Sequence, residues 1–195
     1  MAEIVISPAT ADRFSDAEHA LSGGGDGHSC QCQWWTITNA EFQRASMDEK
    51  RTLLSKELTN DEAPPALIAY VDGEAVGWVR VGPRTAQVRI SRTCDIVANT
   101  PVPLDDPYAW AVTCFVVRRE HRGEGLTARL PAAAVDYARQ HGARVIEAYP
   151  VDTAAGKKSS NELYHGILSV FEAAGFREIA RPKPDRPIVA LDLSA

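Results

Sequence analysis

The stretch that most narrows what this chain can fold into is residues 116–127, Val-Val-Arg-Arg-Glu-His-Arg-Gly-Glu-Gly-Leu-Thr. An apolar run with β character, 110–117, enters it, and a run with helical spacing, 128–140, leaves it. Between the two sits Arg122-Gly123-Glu124-Gly125. Glycine lets a backbone approach a ligand without a Cβ in the way. A helix that begins there presents free N–H groups and the positive end of its dipole, and both suit phosphate. The local chemistry is that of a pyrophosphate cradle held between a strand and a helix.

The bulk properties set the frame around that cradle. A length of 195 residues suits one sizeable domain. Hydrophobic residues make up 45% and charged residues 24%, which excludes a disordered chain. The net charge of −5 argues against a nucleic-acid partner, which would call for a basic face. The first residues carry no basic segment followed by an apolar core, so no signal peptide is expected. Every apolar run falls well short of about 18 residues, so no membrane span is expected. Cys30, Cys32, Cys94 and Cys114 are then expected to be reduced thiols in a cytoplasmic protein.

Either side of the cradle, strand and helix patterns succeed one another. Residues 3–7 read as a strand, and 8–21 as a helix with Phe14, Ala17 and Leu21 on one face. The glycine-rich run 22–27 breaks that helix and is expected to be the most flexible stretch. A second helix is expected over 40–58, capped by Thr38 or Asn39, with Phe42, Ala45, Leu53, Leu54 and Leu58 buried. Asp72-Gly73 between the apolar runs 66–71 and 74–81 signals a hairpin. Residues 87–91 and 93–97 have strand character, and 108–117 reads as a buried strand. The helix over 125–140 carries Leu126, Leu130, Ala133, Ala134 and Tyr137 on one side, and its internal Pro131 predicts a kink unless it lies within the first turns. Strands at 143–149, 176–180 and 188–193, a mobile polar connection at 153–160 and a long last helix at 161–174 complete the order. The mixture predicts an α/β layer fold with a largely antiparallel, partly parallel sheet.

This order, with Arg-Gly-x-Gly between strand and helix, resembles the GCN5-related N-acetyltransferase (GNAT) superfamily. That family's signature, Arg/Gln-x-x-Gly-x-Gly/Ala, holds the pyrophosphate of acetyl-CoA. Arg122, Gly125 and Thr127 fall on its positions, with Gly123 in the common second place; Thr127 departs from Gly or Ala with a hydroxyl that can bond a phosphate. Residues 171–176, Phe-Glu-Ala-Ala-Gly-Phe, are similar to the family's Tyr-x-x-x-Gly-Phe. The resemblance spans 1–7 and 66–193. It implies a single α/β (α+β) domain over 1–195, with a mixed, mostly antiparallel central sheet flanked by helices, splayed central parallel strands, and 23–65 as a variable insertion on the acceptor side. The splay would free backbone groups of Phe115, Val116 and Val117 for pantetheine amides. Arg122, Gly123, Glu124, Gly125, Leu126 and Thr127 would hold the pyrophosphate, and Asn161 the pantetheine arm. The implied activity is N-acyl transfer from acetyl-CoA to a small-molecule or exposed amine by direct attack, without metal; many resembling proteins form homodimers, which leaves monomer and homodimer both open. The alternative is a CoA-binding regulatory or sensor module without turnover, suggested by Phe171 and Thr127.

Direct attack needs a base for the ammonium proton, N–H donors for the oxyanion and an acid for the leaving thiolate. Phe171 stands where the family often has its acid tyrosine, and a phenyl ring cannot donate a proton. Tyr164, seven residues earlier on the same expected helix face, is the candidate acid, against a packing role. Glu147, inside the apolar run 145–149, is the candidate base, because a carboxylate there is costly unless it is paired or faces a cleft. The competing reading of Glu147 is a salt bridge to an arginine. Asp152 either binds a cationic amine or caps a loop. Trp34 and Trp35 suit the walls of an amine site, one in the core and one in the cleft; Trp78 and Trp110 read as core. His165 reads as a solvated helix residue, and His121 as exposed. Arg118, Arg119, Lys157 and Lys158 meet either the 3′-phosphate of CoA or solvent. His28-x-Cys30-x-Cys32 lacks a second ligand pair, so no zinc site is expected.

Overall fold

A computed structural model describes residues 2–60, 62–156, 158–159 and 161–194. Lys157 and Ser160, and with them part of the expected 153–160 connection, lie outside the described residues. The seven strands are β1 (Ile4–Pro8), β2 (Ala66–Val71), β3 (Glu74–Pro83), β4 (Ala109–Val117), β5 (Val145–Ala148), β6 (Arg177–Lys183) and β7 (Arg186–Asp192). They form one sheet in the order β1-β2-β3-β4-β5-β7-β6. All pairings are antiparallel except β4 with β5. The expected mixed sheet is therefore present, with its parallel step at the centre.

Local turn chemistry explains the β2–β3 hairpin. Asp72 and Gly73 both have positive φ, 47° and 86°, which matches the right-handed twist of the flanking strands. Alternation along the strands then sends side chains to two faces. Leu67, Ala69, Val79, Val112 and Phe115 join Leu126, Leu130, Ala134 and Tyr137 of the helix α6 (Leu126–Gln140) in one core. On the other face, Ile68 and Trp78 pack with Ala17, Ala20 and Leu21 of α1 (Phe14–Leu21). Trp78 and Trp110 are core residues as expected, at 0% and 3% exposure.

Between α1 and β2 the chain forms α2 (Gly27–Cys30), α3 (Asn39–Arg44) and α4 (Met47–Glu57). The single helix expected over 40–58 is thus two. Two successive capping boxes set their starts, Thr38 with Glu41 for α3 and Ser46 with Glu49 for α4, each side chain bonding the other's backbone N–H, and the second divides the expected helix. Leu54 and Leu58 are fully buried, whereas Phe42, Ala45 and Leu53 are only half-buried.

Two further segments depart from expectation. Residues 87–97 are not strand: 3-10 turns at Arg84–Ala86 and Ile90–Arg92 lead into the short helix α5 (Cys94–Val97). The long helix expected over 161–174 is a 3-10 turn, Leu163–His165, followed by α7 (Leu168–Ala173). Gly166 separates them, at φ 77° and with its carbonyl accepting from Val151 N–H at 2.9 Å. A Cβ there would stand 2.7 Å from Phe171 and 3.1 Å from Phe115, so the break is built from the tertiary contact. By contrast, α6 runs unbroken through Pro131, which removes one N–H in the second turn while the buried stripe on either side holds the helix to the sheet. Among the described residues no helix is long and apolar enough to cross a membrane.

Candidate active site

The parallel step of the sheet opens where the cradle sits. β4 pairs with β5 only from Ala109 with Val145 to Val112 with Ala148. The register against β3 slips between Arg80 and Val81, which leaves Thr113 as an extra residue in β4. A bulge bends a strand, and from this point the ladder partner of β4 is β3 alone. The edge of Phe115, Val116 and Val117 consequently faces a cavity of about 580 Å³.

The cradle closes one end of that cavity. After β4, the 3-10 turn Arg119–His121 leads to Gly123 and Gly125, at φ 92° and 80°. Nothing lies within 4 Å of a Cβ built on either glycine, so backbone conformation and not crowding selects glycine there. Helical bonding in α6 starts with Ala128 N–H to Gly125 O at 3.1 Å, and the amides ahead of it are those a helix start leaves open. Arg122, Val117, Phe115, Val116, Thr127 and Asn161 all line the cavity. Gly123, Glu124 and Gly125 are exposed on the loop, whereas Leu126 is 1% exposed, so only its backbone could meet a ligand. Glu124 is engaged with His121, 3.0 Å away.

The glycine run 23–27 does more than break α1. Gly24, Gly25 and Gly27 line the cavity, and a Cβ on Gly23 would collide with Arg118 at 2.2 Å. Arg119 N–H donates to Gly23 O at 3.0 Å. Arg118 is spent on this junction: it donates to His19 O at 2.7 Å and Ser22 Oγ at 3.1 Å, and pairs with Glu120 at 2.6 Å. A phosphate role for Arg118 is therefore displaced by an intramolecular one. His121 is correspondingly half-buried between Glu74 and Glu124 rather than free in solvent. Lys158 pairs with Asp185.

At the other end, Trp34 and Trp35 both line the cavity; Trp35, at 4% exposure, belongs to a buried core cluster and Trp34 is half-buried against it, the expected division of one core and one cleft tryptophan. Trp34 is held edge-on to Phe42 and faces the Arg89 guanidinium at 3.7 Å. Trp35 stacks on Tyr149 and abuts His165. Its Nε1–H is buried and has no partner. Tyr164 lines the same cavity from the 3-10 turn. Burial and the neighbouring thiols Cys114 and Cys30 push its hydroxyl well above the ordinary range, so it stays protonated. The expected shared helix face of Tyr164 and Phe171 does not exist, because Gly166 divides the helix. Phe171 is fully buried between Phe115 and Phe176. His165, expected in solvent, is packed on Tyr164 and Trp35, and desolvation lowers its pKa to about 3, so it is neutral.

Glu147 and Asp152 lie elsewhere. Glu147 is 0% exposed and does not line the cavity. Its carboxylate pairs with Arg84 at 3.0 Å, both side chains fully buried, and accepts from Thr100 at 2.5 Å and Tyr149 at 2.9 Å. Arg84 also donates to Thr100 Oγ1 and to the carbonyls of Val102 and Pro103. Glu147 therefore ties the 99–107 loop to β5, and the arginine-pair reading of it replaces the base reading. Asp152 caps the 3-10 turn Thr153–Ala155 through Ala154 N–H at 2.9 Å and pairs with Arg181 at 2.7 Å, which leaves no carboxylate of that residue toward the cavity.

Sequence reasoning missed the thiol corner of the site. Cys30, Cys32 and Cys114 all line the cavity. Cys32 Sγ accepts from Trp78 Nε1 and from Arg80 Nε, each at 3.1 Å, and Arg80 is paired with Glu57 at 2.7 Å. Trp78 and Arg80 sit two apart on β3, so the strand period was the available signal, but nothing local linked it to the Cys30-x-Cys32 turn. Among the described residues no group of three or more His, Cys, Asp or Glu is arranged to hold a metal ion.

Comparison with known proteins agrees with this geometry. The family model of the acetyltransferase (GNAT) family matches residues 31–167. No curated protein matches the chain. Among solved structures, an N-acetyltransferase from Staphylococcus aureus Mu50 superposes with a TM-score of 0.56 at 16% identity, covering 98% of this chain and 99% of that one. The structure of yncA from Salmonella typhimurium with its cofactor acetyl-CoA gives 0.54 at 17%, covering 97% and 94%. The aminoglycoside acetyltransferase AAC(6′)-Ib in complex with coenzyme A gives 0.54 at 14%, covering 97% and 95%. At these identities the likeness is one of fold.

Proposed function

The chain belongs to the acetyltransferase (GNAT) family, and on that premise we propose that it transfers the acetyl group of acetyl-CoA to the nitrogen of an amine by direct attack on the thioester. One observation carries the reading: a single cavity runs from the Arg122–Thr127 cradle, along the edge of β4 that β5 has left, to the Trp34–Trp35 wall. A CoA donor needs those three features in that order.

In this reading Arg122, the Thr127 hydroxyl and the amides from Gly123 to Thr127 hold the pyrophosphate, Arg122 by its fork-shaped guanidinium. Backbone groups of Phe115, Val116 and Val117 pair with the pantetheine amides, since unpaired strand N–H and C=O groups are costly to leave buried. Asn161, at the cavity mouth, holds the arm. Tyr164, kept protonated by burial, donates to the departing thiolate. Trp34 and Trp35 form the acceptor wall. Among the described residues Asp26 is the carboxylate that lines the cavity, and it sits exposed at the rim. The wall thus suits an amine with an apolar or aromatic body better than a polycation, which would need several facing carboxylates.

Calorimetry with acetyl-CoA, followed by a thiol-release assay over a panel of amines, tests the proposal. The expected result is binding and acceptor-dependent CoA release. Arg122→Ala should weaken donor binding by about 1.5–3 kcal/mol, the usual worth of a charge-assisted hydrogen bond. Absence of acetyl-CoA binding by the wild-type protein would overturn the proposal.

A further inference from the structure

The acceptor end of the cavity is walled by aromatic rings, and each ring carries a cation. Trp34 and Phe42 meet edge-on with their centroids 5.0 Å apart. Lys50 Nζ stands 4.0 Å from the Phe42 centroid, and the Arg89 guanidinium 3.7 Å from that of Trp34. Trp34, Phe42 and Lys50 all line the cavity, whereas Arg89 lies behind the Trp34 ring. Among the described residues neither cation is paired with a carboxylate. Arg89 donates to the carbonyls of Trp34 and Ile37, and Lys50 rests on the Phe42 ring. The wall also holds a buried donor without a partner, the Nε1–H of Trp35, which is costly to leave unmade until an oxygen accepts from it.

The place of Lys50 is not explained by its helix. It is the fourth residue of α4, near the positive end of the dipole, where a cation is disfavoured. The Ser46–Glu49 capping box fixes that turn, and so fixes where the ammonium is delivered. Asp26, the carboxylate at the rim, belongs to the glycine loop that abuts Arg122 and Asn161 and so lies toward the donor arm.

We propose that the acceptor brings its own carboxylate: it is an amino acid with an apolar or aromatic side chain, its carboxylate met by Lys50 and its side chain laid against Trp34 and Phe42. This deepens the acetyl-transfer reading and rests on it. Charge separates such an acceptor from a simple amine. A simple amine arrives as a cation and meets Lys50 with Arg89 behind the wall, and like charges repel. An amino acid is neutral overall and sets its carboxylate against Lys50. Arg89, which that carboxylate does not reach, still favours loss of the ammonium proton. This suits a cavity that neither Glu147 nor Asp152 lines. The ammonium gives one proton to water. The nitrogen–carbonyl bond then forms as the CoA S–carbonyl bond breaks, the thiolate takes the Tyr164 proton, and the second proton of the nitrogen restores it through solvent.

The test is a thiol-release assay of the wild-type protein with acetyl-CoA and acceptors paired so that they differ by the carboxylate: phenylalanine with phenethylamine, tryptophan with tryptamine, leucine with isoamylamine. In at least one pair the amino acid should be favoured by about 10–100-fold in kcat/KM, the worth of a hydrogen bond to a charged group. Lys50→Ala should erase that preference through the KM of the amino acid, and Lys50→Arg should keep most of it. The readout is a ratio within one protein, so a general loss of fold or of donor binding cancels. Calorimetry with acetyl-CoA reports the donor site separately. Acetyl-CoA binding without turnover of any amino acid would overturn this proposal and leave the donor site standing. So would equal or better turnover of the carboxylate-free partners, or a preference that survives Lys50→Ala. Failure of acetyl-CoA to bind the wild type would instead remove the reading beneath it.

Discussion

Removing the Glu147 carboxylate separates a catalytic from an architectural role for that residue. In Glu147→Ala, Arg84 remains 0% exposed on its side chain, and its partner 3.0 Å away is gone. The Thr100 and Tyr149 hydroxyls lose their acceptor at the same time. Breaking a buried ion pair by deleting one member costs about 3–5 kcal/mol, since an uncompensated buried charge is left behind. For a chain of this size each kcal/mol lowers Tm by roughly 2–4 °C, so a fall of about 6–20 °C is expected. Glu147→Gln keeps the shape and one acceptor oxygen, but its NH₂ cannot accept from the second hydroxyl and it still strands Arg84, so it should fall within the same range. Differential scanning calorimetry measures the Tm, and acetyl transfer at a temperature where both proteins are folded measures kcat. The expected kcat per folded molecule stays close to wild type. A drop of about 10²–10⁴-fold in kcat with Tm unchanged is the signature of a lost general base, and would refute the structural assignment.

Two further outcomes follow from the geometry. Gly166→Ala places a Cβ 2.7 Å from Phe171 on a backbone at φ 77°, and should lower stability by about 1–3 kcal/mol in a urea titration; an unchanged midpoint would mean the Leu163–Leu168 connection relaxes freely. Cys32 is a group whose folded pKa, about 6, lies below its ordinary value of 9.0. Its ionisation therefore contributes stability that is complete above about pH 9 and is lost as pH falls through about 6. Urea midpoints of the wild type should rise between these limits more steeply than those of Cys32→Ser, and parallel curves would contradict the lowered thiol.

The residues that sequence reading placed correctly are those whose structure is set by neighbours along the chain. The β2–β3 hairpin follows from Asp72-Gly73, a turn pair that needs only its own backbone angles. The cradle follows from Gly123 and Gly125 ahead of the stripe of α6. The two capping boxes were also written locally, in Thr38–Glu41 and Ser46–Glu49, and reading the second would have divided the 40–58 helix. What stayed hidden depends on partners far away in sequence. Glu147 in its strand looks the same whether its carboxylate faces a cleft or Arg84; the choice was made by the loop that carries Arg84 and Thr100 across β5. The pattern 161–174 is helical by composition, but the bonding of Gly166 and Leu168 to Val151 interrupts it, and Tyr164 is turned to the cavity as a result. The sequence by itself determined the strand–cradle–helix unit and the β2–β3 hairpin, because backbone angles and hydrophobic period act over a few residues. Only the tertiary structure decided which acidic and thiol groups reach the cleft, because the electrostatics of Glu147 and Cys32 belong to side chains that the sheet brings together from Arg80, Arg84, Thr100 and Cys114.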